Sequence, residues 1–175
     1  MKTAEHPGPT NVLIVEDDPD DAYLLERALT RAATLAGSTV HIARYSDGWE
    51  AIRAVGRSDV IGDLPDFVVV DLNMPVMDGL RFLEVLRSDL RLGSLPTFVL
   101  TTSDRTDFHR AAYDRGADCV FQKPDTHVRY LELAQLMYAA ARFEHARRAH
   151  LGERPQTGAA PSRFSRGVAS PPRAR

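Results

Sequence analysis

The chain has 175 residues, 43% of them apolar, with 22 Lys and Arg set against 24 Asp and Glu. That length suits one ordinary globular core with tails, and the near-neutral balance excludes a global field for nucleic acid or an anionic membrane. The single cysteine, Cys119, excludes an intramolecular disulfide or a cysteine zinc cage and fits a reducing compartment; a space-filling role is expected of it.

Residues 1–9, MKTAEHPGP, carry no apolar core of a signal peptide and are expected to be flexible. A first β-branched run at 11–15 predicts a strand, and the amphipathic stretch 20–35 a helix. The same alternation follows with strands at 40–45, 67–70, 97–100 and 119–121 and helices at 48–55, 79–88, 106–115 and 126–148. The first, third and fourth runs are apolar at consecutive positions, as in parallel strands covered by helices on both faces. The expected fold is therefore α/β, a doubly wound five-stranded parallel sheet flanked by five helices and formed by residues 10–149. Punctuation agrees: Asp78 can cap the third helix, Gly116 follows the fourth, and Asp125 or Thr126 can cap the fifth. From 150 to 175 the composition shifts to Pro, Gly, Ser and Arg, which predicts a disordered tail. No apolar run approaches the ~20 residues of a spanning helix, so a soluble, cytoplasmic protein with no membrane contact is expected.

Ligands of an open parallel sheet bind at the carboxyl ends of its strands. Here those ends present Glu16 and Asp17 after the first strand, Asp71 after the third, Thr101 after the fourth and Lys123 after the fifth. Three carboxylates on one rim repel one another unless a cation neutralises them. Oxygen ligands without imidazole or thiolate suit Mg²⁺, with Mn²⁺ or Ca²⁺ as substitutes. Asp71 can then attack phosphorus, Lys123 can stabilise the phosphoryl oxygens, and Thr101 can hydrogen-bond the product. Asp71 precedes the separate turn signal NMPVMDG, so a mere turn-forming role is redundant there. Asp18, Asp20 and Asp21 are expected to cap the first helix or face water.

The stretches VLIVEDDPDDAYLL, DLNMPVMDGLRFLEVL, FVLTTSD and GADCVFQKP together resemble the receiver domain of bacterial two-component response regulators, over roughly residues 10–148. The resemblance implies a flavodoxin-like strand order of 2-1-3-4-5 and phosphoryl transfer to Asp71 from a sensor histidine kinase. It implies that Asp17 and the backbone carbonyl of Asn73 bind Mg²⁺ beside Asp71, that Glu16 acts through water, and that Thr101 and Lys123 couple phosphorylation to a shape change. It also implies a cis Lys123–Pro124 bond. The chain departs from the family in having Val120 where an aromatic is common, with Tyr113 or Phe121 as substitutes. Asn73 and Ser103 stand where the family tunes dephosphorylation; neither is a strong general base, so a phosphoryl lifetime of minutes or longer is expected. The VEDDPDDAYLL opening and the long stretch before the third strand resemble regulators paired with bacterial phytochrome kinases.

After the fifth helix there is no room in this sequence for an output domain, so output by protein contact is expected. The tail arginines are too sparse to favour nucleic acid. On the fifth helix, Leu133, Leu136, Met137 and Ala140 read as the stripe covering the sheet. Tyr130, Ala134, Tyr138 and Ala141 read as a second stripe which, with Phe143, predicts a homodimer face. Two other classes compete. A phosphohydrolase of the haloacid dehalogenase kind needs a second Asp where Asn73 stands, and a receiver-shaped binding module would never be phosphorylated. A P-loop nucleotide enzyme is disfavoured by the lack of a Gly-rich run ending in Gly-Lys-Ser/Thr. The protein is thus expected not to be an enzyme beyond its own phosphorylation and slow dephosphorylation.

Overall fold

A computed structural model describes residues 9–150, with side chains up to Phe143. The segments 1–8 and 151–175, where a flexible N-terminus and a disordered tail are expected, lie outside the described residues. Strands β1 (Thr10–Val15), β2 (Val40–Tyr45), β3 (Phe67–Asp71), β4 (Thr97–Thr101) and β5 (Cys119–Gln122) alternate with helices α1 (Pro19–Leu35), α2 (Gly48–Ile61), α3 (Gly79–Glu84), α4 (Thr106–Asp114) and α5 (His127–His150). The strands form one parallel sheet in the order β2-β1-β3-β4-β5. Winding reverses between β1 and β3, which opens a crevice at their carboxyl ends.

The consecutive apolar residues of the central strands are explained by the two layers they feed. Leu13, Val15, Val68, Val70 and Val99 point into a core with α2, α3 and Ala112 of α4. Val12, Ile14, Phe67, Val69, Phe98 and Leu100 point the other way, into a core with α1 and α5. Side chains alternate faces along a strand, so burial on both sides demands apolar residues at every position.

Local capping sets where the helices begin. Asp18, Asp47 and Asp78 each accept backbone N–H bonds at the starts of α1, α2 and α3, and the Thr126 hydroxyl accepts from the Arg129 N–H at the start of α5. The second helix runs six residues beyond its expected end at Val55, because Gly56 is tolerated in mid-helix and Gly62, at φ 70°, provides the actual stop. α3 continues as a π-helical turn over Val85–Asp89. There Arg87 donates to the carbonyls of Gly116, Leu92 and Leu95 and pairs with Asp118 at 3.0 Å, tying together the loops at the amino end of the sheet.

The expected division of α5 into two stripes is corrected by the structure. Tyr130, Ala134, Tyr138 and Ala141 are buried in the chain's own core together with Leu133 and Met137, while Leu136 is 61% exposed and Ala140 is also exposed. Positions i, i+3, i+4, i+7, i+8 and i+11 form a single wide stripe, and the layer between α1 and the sheet takes all of it. The Tyr138 hydroxyl accepts from Thr10 at 2.9 Å, which anchors that face to β1. Of the residues assigned to a homodimer face, Phe143 alone is exposed, at 69%.

Candidate functional site

Strands β1, β3, β4 and β5 bring the predicted residues to one rim. Glu16, Asp71 and Thr101 are buried at the ends of β1, β3 and β4, Asp17 is half-buried, and Lys123 follows β5 with its N–H bonded to the Thr101 carbonyl at 2.8 Å. Carboxylate oxygens of Glu16, Asp17 and Asp71 all lie within 4.8 Å of one another. Lys123 Nζ lies 2.8 Å from Glu16 Oε2 and 3.5 Å from Asp71 Oδ2.

Electrostatics follow from this crowding. Burial, with a smaller contribution from the Asp71 charge, pushes the Glu16 carboxyl up to about 7 despite its bond to Lys123. Burial likewise raises Asp71, opposed by Lys123 and by the Asn73 backbone N–H. Burial by itself would lower the Lys123 ammonium, but hydrogen bonds to Asp21 and Glu16 and the neighbouring carboxylate charges outweigh it and raise it.

The donor set fits a hard divalent cation. It offers oxygens only, it holds three acids against one lysine, and Asp71 Oδ1 is a buried acceptor with no hydrogen-bond partner. Thr101 Oγ1 accepts from the Ser103 N–H at 3.1 Å, which leaves its own proton free to donate.

The loop after Asp71 is tightly determined. A Cβ on Gly79 would lie 2.3 Å from the Asp71 carbonyl oxygen, so only glycine lets the start of α3 fold back against the acceptor strand. The same closure bends Pro75 to Met77 into a three-residue turn, with the Met77 N–H on the Pro75 carbonyl at 2.8 Å and Val76 at φ 67°. A β-branched residue rarely takes that conformation, and this one is 85% exposed. Met74 and Met77 are buried beneath the loop.

Two expectations are changed. The Lys123–Pro124 bond is trans, since no peptide bond among the described residues is cis. Trans is the intrinsic preference of an X–Pro bond by about 0.5–1 kcal/mol, and β5 delivers Lys123 to the rim in that form. Asp21, read as a cap or a solvated acid, instead bonds Lys123 Nζ at 2.8 Å, and its other oxygen accepts from the Tyr130 hydroxyl at 3.3 Å. No local pattern marks it, because its partners are 102 and 109 residues away. Of the two aromatic substitutes for Val120, Phe121 turns into the α1/α5 layer against Phe98, whereas the Tyr113 hydroxyl accepts from the Val120 N–H at 3.2 Å. The His109 ring nitrogen lies 2.9 Å from the Ser103 carbonyl.

Residues 12–135 match the family model described as the response regulator receiver domain. The response regulator MprA of Mycolicibacterium vanbaalenii is 35% identical over 116 residues, which is 66% of this chain and 45% of that protein. The chain thus spans under half the length of such curated relatives. Among solved structures, the phosphorylated cyanobacterial phytochrome response regulator RcpA is similar with a TM-score of 0.64 and 26% identity, over 74% of this chain and 91% of that one. The Mn²⁺-bound form of response regulator Rcp1 is similar with a TM-score of 0.61 and 26% identity, over 75% and 93%. With its sheet order, its acidic rim and the family match across most of its length, this chain belongs to the response regulator receiver domain family.

Proposed function

We propose that this chain is a phosphorelay receiver: Asp71 takes a phosphoryl group from the phosphohistidine of a sensor histidine kinase, and the modified form acts through protein contact. The observation that supports this most is the convergence of Glu16, Asp17, Asp71, Thr101 and Lys123 at the strand ends, with Asp71 Oδ1 unpartnered among them. Attack by Asp71 on phosphorus forms the acyl phosphate. The P–N bond breaks with its electrons going to the imidazole nitrogen, which takes a proton from water. Lys123 and the Thr101 hydroxyl then hold the transferred phosphoryl oxygens, and the Asn73 N–H steadies the acceptor carboxylate. Asp17, Asp71, the Asn73 carbonyl and, through water, Glu16 would hold Mg²⁺, or Mn²⁺ or Ca²⁺ in its place, which supplies charge neutralisation for the transfer.

Asn73 and Ser103 supply no strong base to activate water, so the acyl phosphate should persist for minutes or longer; loss within seconds from purified protein would refute this. A bacterial phytochrome is the proposed kinase, supported by the likeness to RcpA, and the site of action is the cytoplasm. The chain turns over no external substrate, since Asn73 stands where a phosphohydrolase needs a second acid. Among the described side chains, self-association through α5 would draw on the exposed Val128, Leu136 and Phe143, because Tyr130, Leu133, Ala134, Met137, Tyr138 and Ala141 serve the core. Among the described residues no helix is long and apolar enough to cross a membrane.

Intact mass after incubation with acetyl phosphate and Mg²⁺ tests the proposal. A gain of one phosphoryl group that is lost in Asp71→Asn and without the metal is expected. No gain under any condition would overturn it in favour of a binding module.

A further inference from the structure

Three carboxylates compete for one ammonium at the rim, and the distances rank them. Lys123 Nζ is 2.8 Å from both Glu16 and Asp21 but 3.5 Å from Asp71. An ammonium has three donors, and two of them are committed to residues that are not the phosphoacceptor. Asp21 belongs to α1 and is held there from two directions. Its own N–H bonds the Asp18 cap at 3.2 Å, and its Oδ1 accepts from the hydroxyl of Tyr130, a buried residue of α5.

We infer that Asp21 is a positioning residue that holds Lys123 back from Asp71 in the resting protein, and that phosphorylation draws the lysine off Asp21 and so passes the event through Tyr130 to the α1–α5 contact. The inference rests on the phosphoacceptor role of Asp71. An acyl phosphate adds charge and acceptor oxygens on the side of Lys123 where the contact is now longest. Asp21 is the partner to be given up. Its side chain is 32% exposed, so water can solvate the released carboxylate, whereas Glu16 is 3% exposed and cannot be left unpaired as cheaply. Release of Oδ2 leaves the Tyr130 hydroxyl as the remaining side-chain partner of Asp21, and that bond spans the two helices packed over the far face of the sheet.

The test is fluoroberyllate binding to the full chain with Mg²⁺, followed by fluorine NMR, together with amide hydrogen exchange along α5. Asp21→Asn and Asp21→Ser should each bind fluoroberyllate about tenfold more tightly than wild type, the loss of one charge-assisted competitor. Their α5 exchange should already resemble the fluoroberyllate-bound wild type. Tyr130→Phe should bind as wild type does but lose the fluoroberyllate-dependent change in α5. A merely structural Asp21 would give weaker binding on substitution. Unchanged or weaker binding in both Asp21 variants, with wild type responding, overturns this inference alone. Failure of wild type to bind fluoroberyllate overturns the phosphoacceptor role and this inference with it.

Discussion

Replacing Gly79 with alanine sets helix propensity against close approach, and the structure decides the sign. By propensity, Gly→Ala at a helical position gains up to about 1 kcal/mol. At Gly79, however, the new Cβ would lie 2.3 Å from the Asp71 carbonyl oxygen, 2.8 Å from Leu72 Cα and 3.0 Å from the Asp71 carbonyl carbon, all of them backbone atoms. The main chain must shift by most of an ångström, and overpacking of this kind costs about 1–3 kcal/mol or more. The expected net loss for Gly79→Ala is about 2 kcal/mol, a fall in Tm of roughly 4–8 °C for a domain of this size. Gly56 is the control. In mid-α2 a Cβ there meets only Leu90 Cδ2, at 3.7 Å, so Gly56→Ala should gain about 0.5–1 kcal/mol. Thermal and urea unfolding of both variants measure the pair, and acetyl phosphate labelling should slow in Gly79→Ala alone, because the displaced atoms belong to the acceptor strand. If Gly79→Ala proved as stable as wild type and took phosphate at the normal rate, close backbone approach would not be what shapes the loop after Asp71.

Other outcomes follow from the same contacts. With its carboxyl raised from 4.5 to about 7, Glu16 keeps in the native state a proton that the unfolded chain has lost. Stability without divalent ions should therefore fall as pH rises between those values, by about 3 kcal/mol in all. Thermal unfolding from pH 4 to 8 measures the slope, Glu16→Gln should flatten it, and added Mg²⁺ should raise Tm more at pH 8 than at pH 5; a flat wild-type profile would refute the assignment. Arg87→Met should cost about 3 kcal/mol in urea unfolding, since it strips the donor from three backbone carbonyls and from Asp118, and Arg87→Lys should recover only part of it. Tyr138→Phe should lose about 1 kcal/mol with the Thr10 bond, whereas a solvent-facing Tyr138 would lose nothing.

What the sequence by itself determined is everything carried by local pattern. Consecutive apolar runs at β1, β3 and β4 specify strands buried on both faces, Asp18 and Asp78 mark helix starts, and four of the five strands lead into a residue that the crevice needs. The order of the sheet came from resemblance, and its pairing agrees. Only the tertiary structure decided which carboxylates share Lys123, because Asp21 reaches it across 102 residues of chain. It likewise decided that the whole apolar stripe of α5 is spent on α1 and the sheet. Periodicity shows that a helix has an apolar face and roughly how wide it is, but the boundary between core and surface is drawn by the neighbour that covers it. The trans bond at Pro124 and the glycine demanded at position 79 belong to the same class. Each depends on where distant backbone lies, which local pattern does not encode.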